Sequence, residues 1–383
     1  MANTITNLIP DIYAALDVVS RELVGLIPAV SSDMTFERAA VGQTVRSPVA
    51  PASTASDITP AVTPPNDGDQ TIGNVDMSIT KARRVPVRWN GEQSLGLNSG
   101  PGRANIMRDQ FAQAMRALAN EVEADLAALH IYASRAYGTA GTTPFATAGD
   151  FTDGSNVLKI LKDNGAPGAD NHLVIDTAAG ASFLGKQARV DYAGSDTIQR
   201  QGILLPLHGM DIRESGQIVT STAGTGASAT TDNAGYAVGD TVITLAAAGT
   251  GTIVAGDVIT FAGDSNKYVV LSGDTNVTDG GTITLAAPGL RKAIAASATN
   301  ITVIAAAARN MAFNRSAIAL ATRAPALPVE GDSADDRQIV QDPRSGLAFE
   351  VSMYKQYRQV QYEVALAWGV KAVKPEHIAL LLG

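Results

Sequence analysis

An apolar residue recurs every three or four positions from Met107 to Leu129, through Phe111, Met115, Leu118, Val122 and Leu126, the longest such stripe in the chain. The spacing predicts one helix from about Arg103 to Tyr137 with a single continuous buried face. At ~1.5 Å per residue it would be about 50 Å long, more than a compact domain of this size needs. The a/d-like spacing also suits a coiled coil. With only one such segment, and small residues within the stripe, a lone spine beneath a sheet is the better reading. On that spine Glu121, Glu123 and Asp125 are expected on the solvated face.

Before the spine, Asn7 can cap a helix carrying Leu8, Ile12, Leu16, Val19, Leu23 and Ile27 on one face, with Pro10 in its first turn and Pro28 at its end. It reads as a packed helix or as an arm lying on another subunit. From Val45 to Asn66 the chain is rich in Pro, Ser, Thr and Ala, and its five prolines exclude a helix and a central strand. An extended finger is expected. It returns as a strand pair, Val75, Met77 and Ile79 and then Val85, Val87 and Trp89, with Lys81, Arg83, Arg84 and Arg88 clustered along the hairpin. Such a cluster is a phosphate site, a solvated tip or the partner of carboxylates on another chain; in a chain of net charge −8 the last two outweigh the first.

Residues 150 to 216 alternate helix and strand signals, an α/β patch. Between Thr220 and Ala308 the character changes: Gly, Thr, Ala and Asp dominate, and "ITLAA" occurs at Ile243–Ala247 and again at Ile283–Ala287. Short strands at this spacing indicate a small antiparallel barrel or sandwich. After Arg309 long alternating strands resume, so the β module is an insertion into a host domain.

Chemistry finds little footing. Gly180-x-x-x-x-Gly185-Lys186 follows a buried-type strand and approaches a phosphate-binding loop, but Gln187 stands where the magnesium-binding Ser or Thr belongs and Phe183 and Leu184 add bulk. A helix from about Ala178 packing those two side chains inward is the better reading. His130, His172, His208 and His377 form no HxxxH or HExxH pair. Cysteine is absent, which removes disulfides and thiolate chemistry. No apolar run approaches the roughly 20 residues that span a bilayer, and the start of the chain has no basic segment before its apolar residues. No catalytic, cofactor or metal site is expected. The acidic balance speaks against a protein that coats nucleic acid.

The order of an arm, an extended basic hairpin, a spine helix, an α/β patch, a β insertion and a return through long strands resembles the P22-type major coat proteins of tailed bacteriophages, which have the HK97 capsid fold. The residues that carry the resemblance are "DTIQRQG" (Asp196–Gly202), "GDVITFAG" (Gly256–Gly263), and the closing Trp368-Gly369-Val370 and Lys374-Pro375-Glu376 with Ile378. It implies an α+β fold: an N-terminal arm over 1–40, an E-loop over 41–98 and the spine of a peripheral domain over 99–140. An axial domain over 141–219 and 309–330 would flank an inserted antiparallel β-barrel over 220–308, with peripheral strands over 331–383. The stretch Ser221–Ala237 departs from the charged two-fold contacts of the family, since Asp232 is its only charge.

The resemblance further implies a shell subunit that partners itself in pentamers and hexamers. It would assemble in the bacterial host cytoplasm with a scaffolding protein, a portal and possible decoration proteins, and enclose double-stranded DNA without gripping it. Lys81, Arg83, Arg84 and Arg88 become candidate inter-subunit contacts. An adhesin or S-layer-like protein shares the Ala/Gly/Thr-rich strands but calls for a secretion signal and no long helix. An encapsulin-like compartment shares the fold but usually lacks the insertion.

Overall fold

The computed structural model describes residues 23–49, 55–63, 68–96, 102–147, 150–187, 204–341 and 346–383. The N-terminal helix expected from Asn7, and the Asp196–Gly202 stretch, lie outside them except for the helix end. There Leu23–Gly25 are not helical, and Pro28 sits inside a 3-10 turn, Ile27–Ala29.

A six-stranded sheet is built around one long strand. Along the chain the first strands are β1 (Ser31–Ala39), β2 (Thr44–Val49), β3 (Gly73–Ser78) and β4 (Lys81–Asn90), then a short helix α1 (Gly91–Gly96) and the spine α2 (Gly102–Ala127). Near the other end come β15 (Ile318–Pro325), β16 (Asp336–Gln341), β17 (Ala348–Gln356) and β18 (Gln359–Ala372). β4 pairs antiparallel along one side of β18. β17 and then β15 share the other side, and β1 adds to β15 in parallel. The spine lies on this sheet: Phe111 meets Tyr362 edge to face at 5.6 Å, and the Trp368 indole donates to Asp125 Oδ2 at 2.8 Å.

Two expectations are corrected here. The two strands at 75–79 and 85–89 do not pair with each other; β3 pairs with β2 and β4 with β18. Val85 and Val87 are drawn to the core under the spine, and that burial outweighs a local hairpin. The spine also ends early, at Ala127, roughly 39 Å from its start. It tightens into a 3-10 turn, Ala128–Tyr132, and then becomes strand β5 (Arg135–Gly138). β5 lies between two other strands, so its backbone is satisfied by ladder bonds that a helix there would forfeit.

The larger sheet joins an α/β layer to the β module. Helices α3 (Thr152–Asp163) and α4 (Thr177–Gln187) and strands β6 (Asn171–Ile175) and β7 (Met210–Glu214) form the layer expected at 150–216. β6 and β7 run parallel, and a separate core of Phe145, Val157, Leu161, Phe183 and Leu381 fills the layer. The short β8 (Thr220–Ser221) leads into β9 (Val242–Leu245), β10 (Val258–Phe261), β11 (Lys267–Ser272), β12 (Gly281–Leu285) and β13 (Ile301–Val303). These five strands run antiparallel in the order β13-β10-β11-β12-β9 around a core of their own, including Ile243, Phe261, Tyr268, Ile283 and Ile301. The two "ITLAA" copies fall on β9 and β12, where Ile243 stands directly opposite Ile283. After β13 the chain re-enters the host as β14 (Ala307–Asn314), all of it buried, and it ends in β19 (Ile378–Leu382) beside β14. The segment 309–330 is thus shared, β14 belonging to one sheet and β15 to the other, and β19 returns to the first.

Glu123 departs from its expected place. It is fully buried, and its carboxylate accepts from the amides of Gly25 and Leu26 at 2.7 Å each and of Ile27 at 3.0 Å. Burial pushes its pKa up against the lowering effect of these bonds and of Ser215. Arg315, donating to Pro28 O at 3.0 Å, and Arg323, paired with Asp33 at 2.8 Å, hold the same N-terminal stretch.

Candidate functional site

β4 exposes alternate residues, and its four basic side chains are split by that two-residue period. Lys81 and Arg83 share the face of Val85, Val87 and Trp89, which lies on the spine. Lys81 Nζ reaches Asp125 at 2.7 Å and Glu121 at 3.5 Å, and sits 5.9 Å from the centre of the Trp368 ring. Arg83 Nε reaches Glu121 at 3.1 Å. The hydrogen bond that Lys81 donates to Asp125 raises the lysine's pKa, holding it protonated. Glu121 and Asp125 are therefore partners of β4 rather than a free acidic face.

Arg84 and Arg88 point the other way. Arg84 Nη1 pairs with Glu363 at 2.6 Å, diagonally across the ladder from β18, and that carboxylate raises its pKa. Arg88 is exposed, opposite Gln361, with no ion-pair partner among the described residues. This face continues across the sheet as a polar network: Glu350, buried, takes Arg38 at 2.5 Å and Arg337 at 3.3 Å, and Arg337 also pairs with Asp332 at 2.6 Å. The four basic residues do not form one cluster. Three have carboxylates in their own chain, and Arg88 is the one without a carboxylate partner among the described residues.

The hairpin that does project is β2–β3, a two-stranded sheet with no third strand among the described residues. Arg46 and Asp76 clamp it through two bonds, at 2.8 and 3.2 Å. Beyond it, residues 55–63 are exposed throughout, with Ile58 at 98% and Val62 at 105% of full exposure. Sequence reasoning found this projection in the proline-rich stretch but assigned the basic strand to it.

Gly180-x-x-x-x-Gly185-Lys186 forms no phosphate loop. Gly180 lies within α4, Phe183 is buried, and Lys186 is buried with its ammonium 5.1 Å from the ring of Phe151 and 5.5 Å from that of Phe145. Its Nζ donates to the carbonyl of Asp150. Among the described residues no group of three or more His, Asp or Glu side chains is arranged to hold a metal, and no helix is long and apolar enough to cross a membrane.

No family model matches the chain, and no curated protein matches it in sequence. Among solved structures it is similar to "Capsid structure of the Cyanophage P-SCSP1u", at 12% identity and TM-score 0.48 over 92% of this chain and 86% of that one. It is similar to a structure titled "Mycobacterium phage Che8", at 13% identity and TM-score 0.46 over 89% and 84%. A third is "Crystal structure of virus-like particle from Pyrococcus furiosus", at 9% identity and TM-score 0.45 over 97% and 98%.

Proposed function

We propose that the chain is a major capsid protein, the repeating subunit of an icosahedral shell around the double-stranded DNA of a tailed phage. The observation that carries this reading is the projecting hairpin. Its residues 55–63 are all exposed, and they present Ile58 and Val62 almost wholly to solvent. An extended apolar-dotted arm of this kind gains its stabilisation by lying on another copy, and closed symmetry multiplies each such contact around the shell. In this reading the hairpin is the E-loop, α2 the peripheral spine, and the α/β layer the axial domain. The β module is a small inserted barrel on the outer surface.

A scaffolding protein and a portal are the expected assembly partners in the host cytoplasm, and a decoration protein would bind the finished shell. The packaged DNA is enclosed without specific grip, consistent with a net charge of −8. Arg88 is the residue of the basic four that we assign to a neighbour's carboxylate. The decisive experiment is expression of the chain with and without its scaffolding protein, followed by electron microscopy. Closed icosahedral particles are expected. Monomers that stay dispersed with the cognate scaffold present would overturn the reading.

A further inference from the structure

The root of the β module holds a cavity of about 400 Å³ that plays no part in the shell reading. Its walls come from the end of α2 and the turn after it, from the segment 217–222 entering the module, from the loop at Val254, and from Arg309 on β14. Arg309 is only 3% exposed, and none of its three guanidinium nitrogens has a hydrogen-bond partner among the described residues. A buried guanidinium in that state is costly, because its desolvation is not offset by a paired anion.

The surrounding groups leave the guanidinium's donors unanswered. Asp257 acts on Arg309 electrostatically, but its two oxygens accept the amides of Gly224 at 2.9 Å and Val254 at 2.7 Å. Among the described residues no carboxylate lines the cavity. The other polar lining groups are the Ser221 and Thr222 hydroxyls, the Gln217 amide and His130. His130 donates Nδ1–H to Ala127 O at 3.1 Å, and burial lowers its pKa, so it adds no second charge. The remaining walls are apolar, with Ile131 half-buried and Val219 and Val254 exposed at the rim. Asp257 lends a countercharge without an acceptor, and water supplies acceptors without a charge. A carboxylate supplies both, and a short apolar stem behind it suits the alanine, isoleucine and valine walls.

We propose that this cavity is a binding site for a small aliphatic carboxylate, whose oxygens pair with the Arg309 guanidinium while its stem lies against Ile131 and Val254. A bound acid would bridge the host and the module, and by mass action it would stabilise the chain.

The test is titration calorimetry of the full chain with butyrate at constant ionic strength, with butanol and inorganic phosphate as controls. Saturable binding of butyrate is expected, with none of butanol. Arg309→Met should fold at least as stably as the parent without ligand, since it removes an unpaired buried charge. It should weaken butyrate binding by roughly 10- to 100-fold, the loss of a charge-assisted pair. A second variant, Val254→Trp, keeps the guanidinium and fills the cavity at a part-exposed position; it should abolish binding. Absence of saturable binding, equal affinity in parent and Arg309→Met, undiminished binding in Val254→Trp, or binding of phosphate in place of butyrate would each overturn the proposal.

Discussion

Gly369 shows how a single hydrogen can decide a register. A Cβ built there would stand 2.0 Å from Ser78 O and 2.9 Å from the same carbonyl carbon, both backbone atoms that cannot swing aside. Its neighbour Trp368 accepts the amide of Thr80 at 3.0 Å, so the link between β3 and β4 is pressed against β18 at this point. Gly369→Ala should lower stability by about 2–3 kcal/mol, read as a shift in the urea midpoint, because the strands must part to admit the methyl. Glu123 is a second such residue. Glu123→Gln puts an amide NH₂ where an oxygen now meets backbone N–H groups, leaving at least one of them unpaired, and should cost about 1–3 kcal/mol. The pH dependence has a definite sign. Burial raises the folded-state pKa of Glu123, so the folded chain holds that proton more tightly than the unfolded one. Its contribution to stability therefore declines as pH rises from the unfolded to the folded pKa. Denaturation midpoints across that window should show this decline in the parent and not in the Gln variant.

At the scale of elements, the β module has a core of its own, and we expect residues 220–308 to fold when expressed alone. Dispersed amide signals in an NMR spectrum are the expected result; a collapsed, unfolded spectrum would show that the ladder from β11 to β5 is required. The short strands there were legible because the turns between them need glycine: the two that bracket β10, Gly256 and Gly263, have φ of +88° and +80°. The spine was legible from its apolar stripe, though its end was not. Ala127 to Tyr137 keeps a helix-compatible pattern, and only the partners of β5, far away in sequence at β11 and β19, draw the last residues into a strand. The pairing of β4 was hidden for the same reason, since alternation reveals a strand but not its neighbour. Nor does sequence distance reveal the carboxylates at Glu121, Asp125 and Glu363 that neutralise three of the four basic side chains. The cavity beside Arg309 left no signal at all, because an arginine at a strand start reads as an ordinary surface charge.

For the whole molecule, the same residues divide into those that hold the subunit and those free to meet another. Arg88→Glu should leave the subunit's thermal midpoint nearly unchanged, within the ±0.5 kcal/mol usual for surface positions, and should impair particle formation in a sedimentation assay. Arg84→Glu, by contrast, faces Glu363 with a like charge and should destabilise the isolated subunit as well. Normal particles from the Arg88 variant would remove that residue from the interface. The antiparallel step at the module's root carries a different consequence. Ser221 stands across from Ala307 and Thr220 from Ala308, so the chain leaves the host and comes back to it at neighbouring points. Closing that gap takes no more than a tight turn, and loop-closure entropy grows only slowly with the length of whatever lies between. The host's connectivity at this point is therefore indifferent to the size of its passenger: this doorway could admit a shorter loop, a larger domain or a foreign cargo, with β5, which pairs with β11, the host strand that would lose a neighbour.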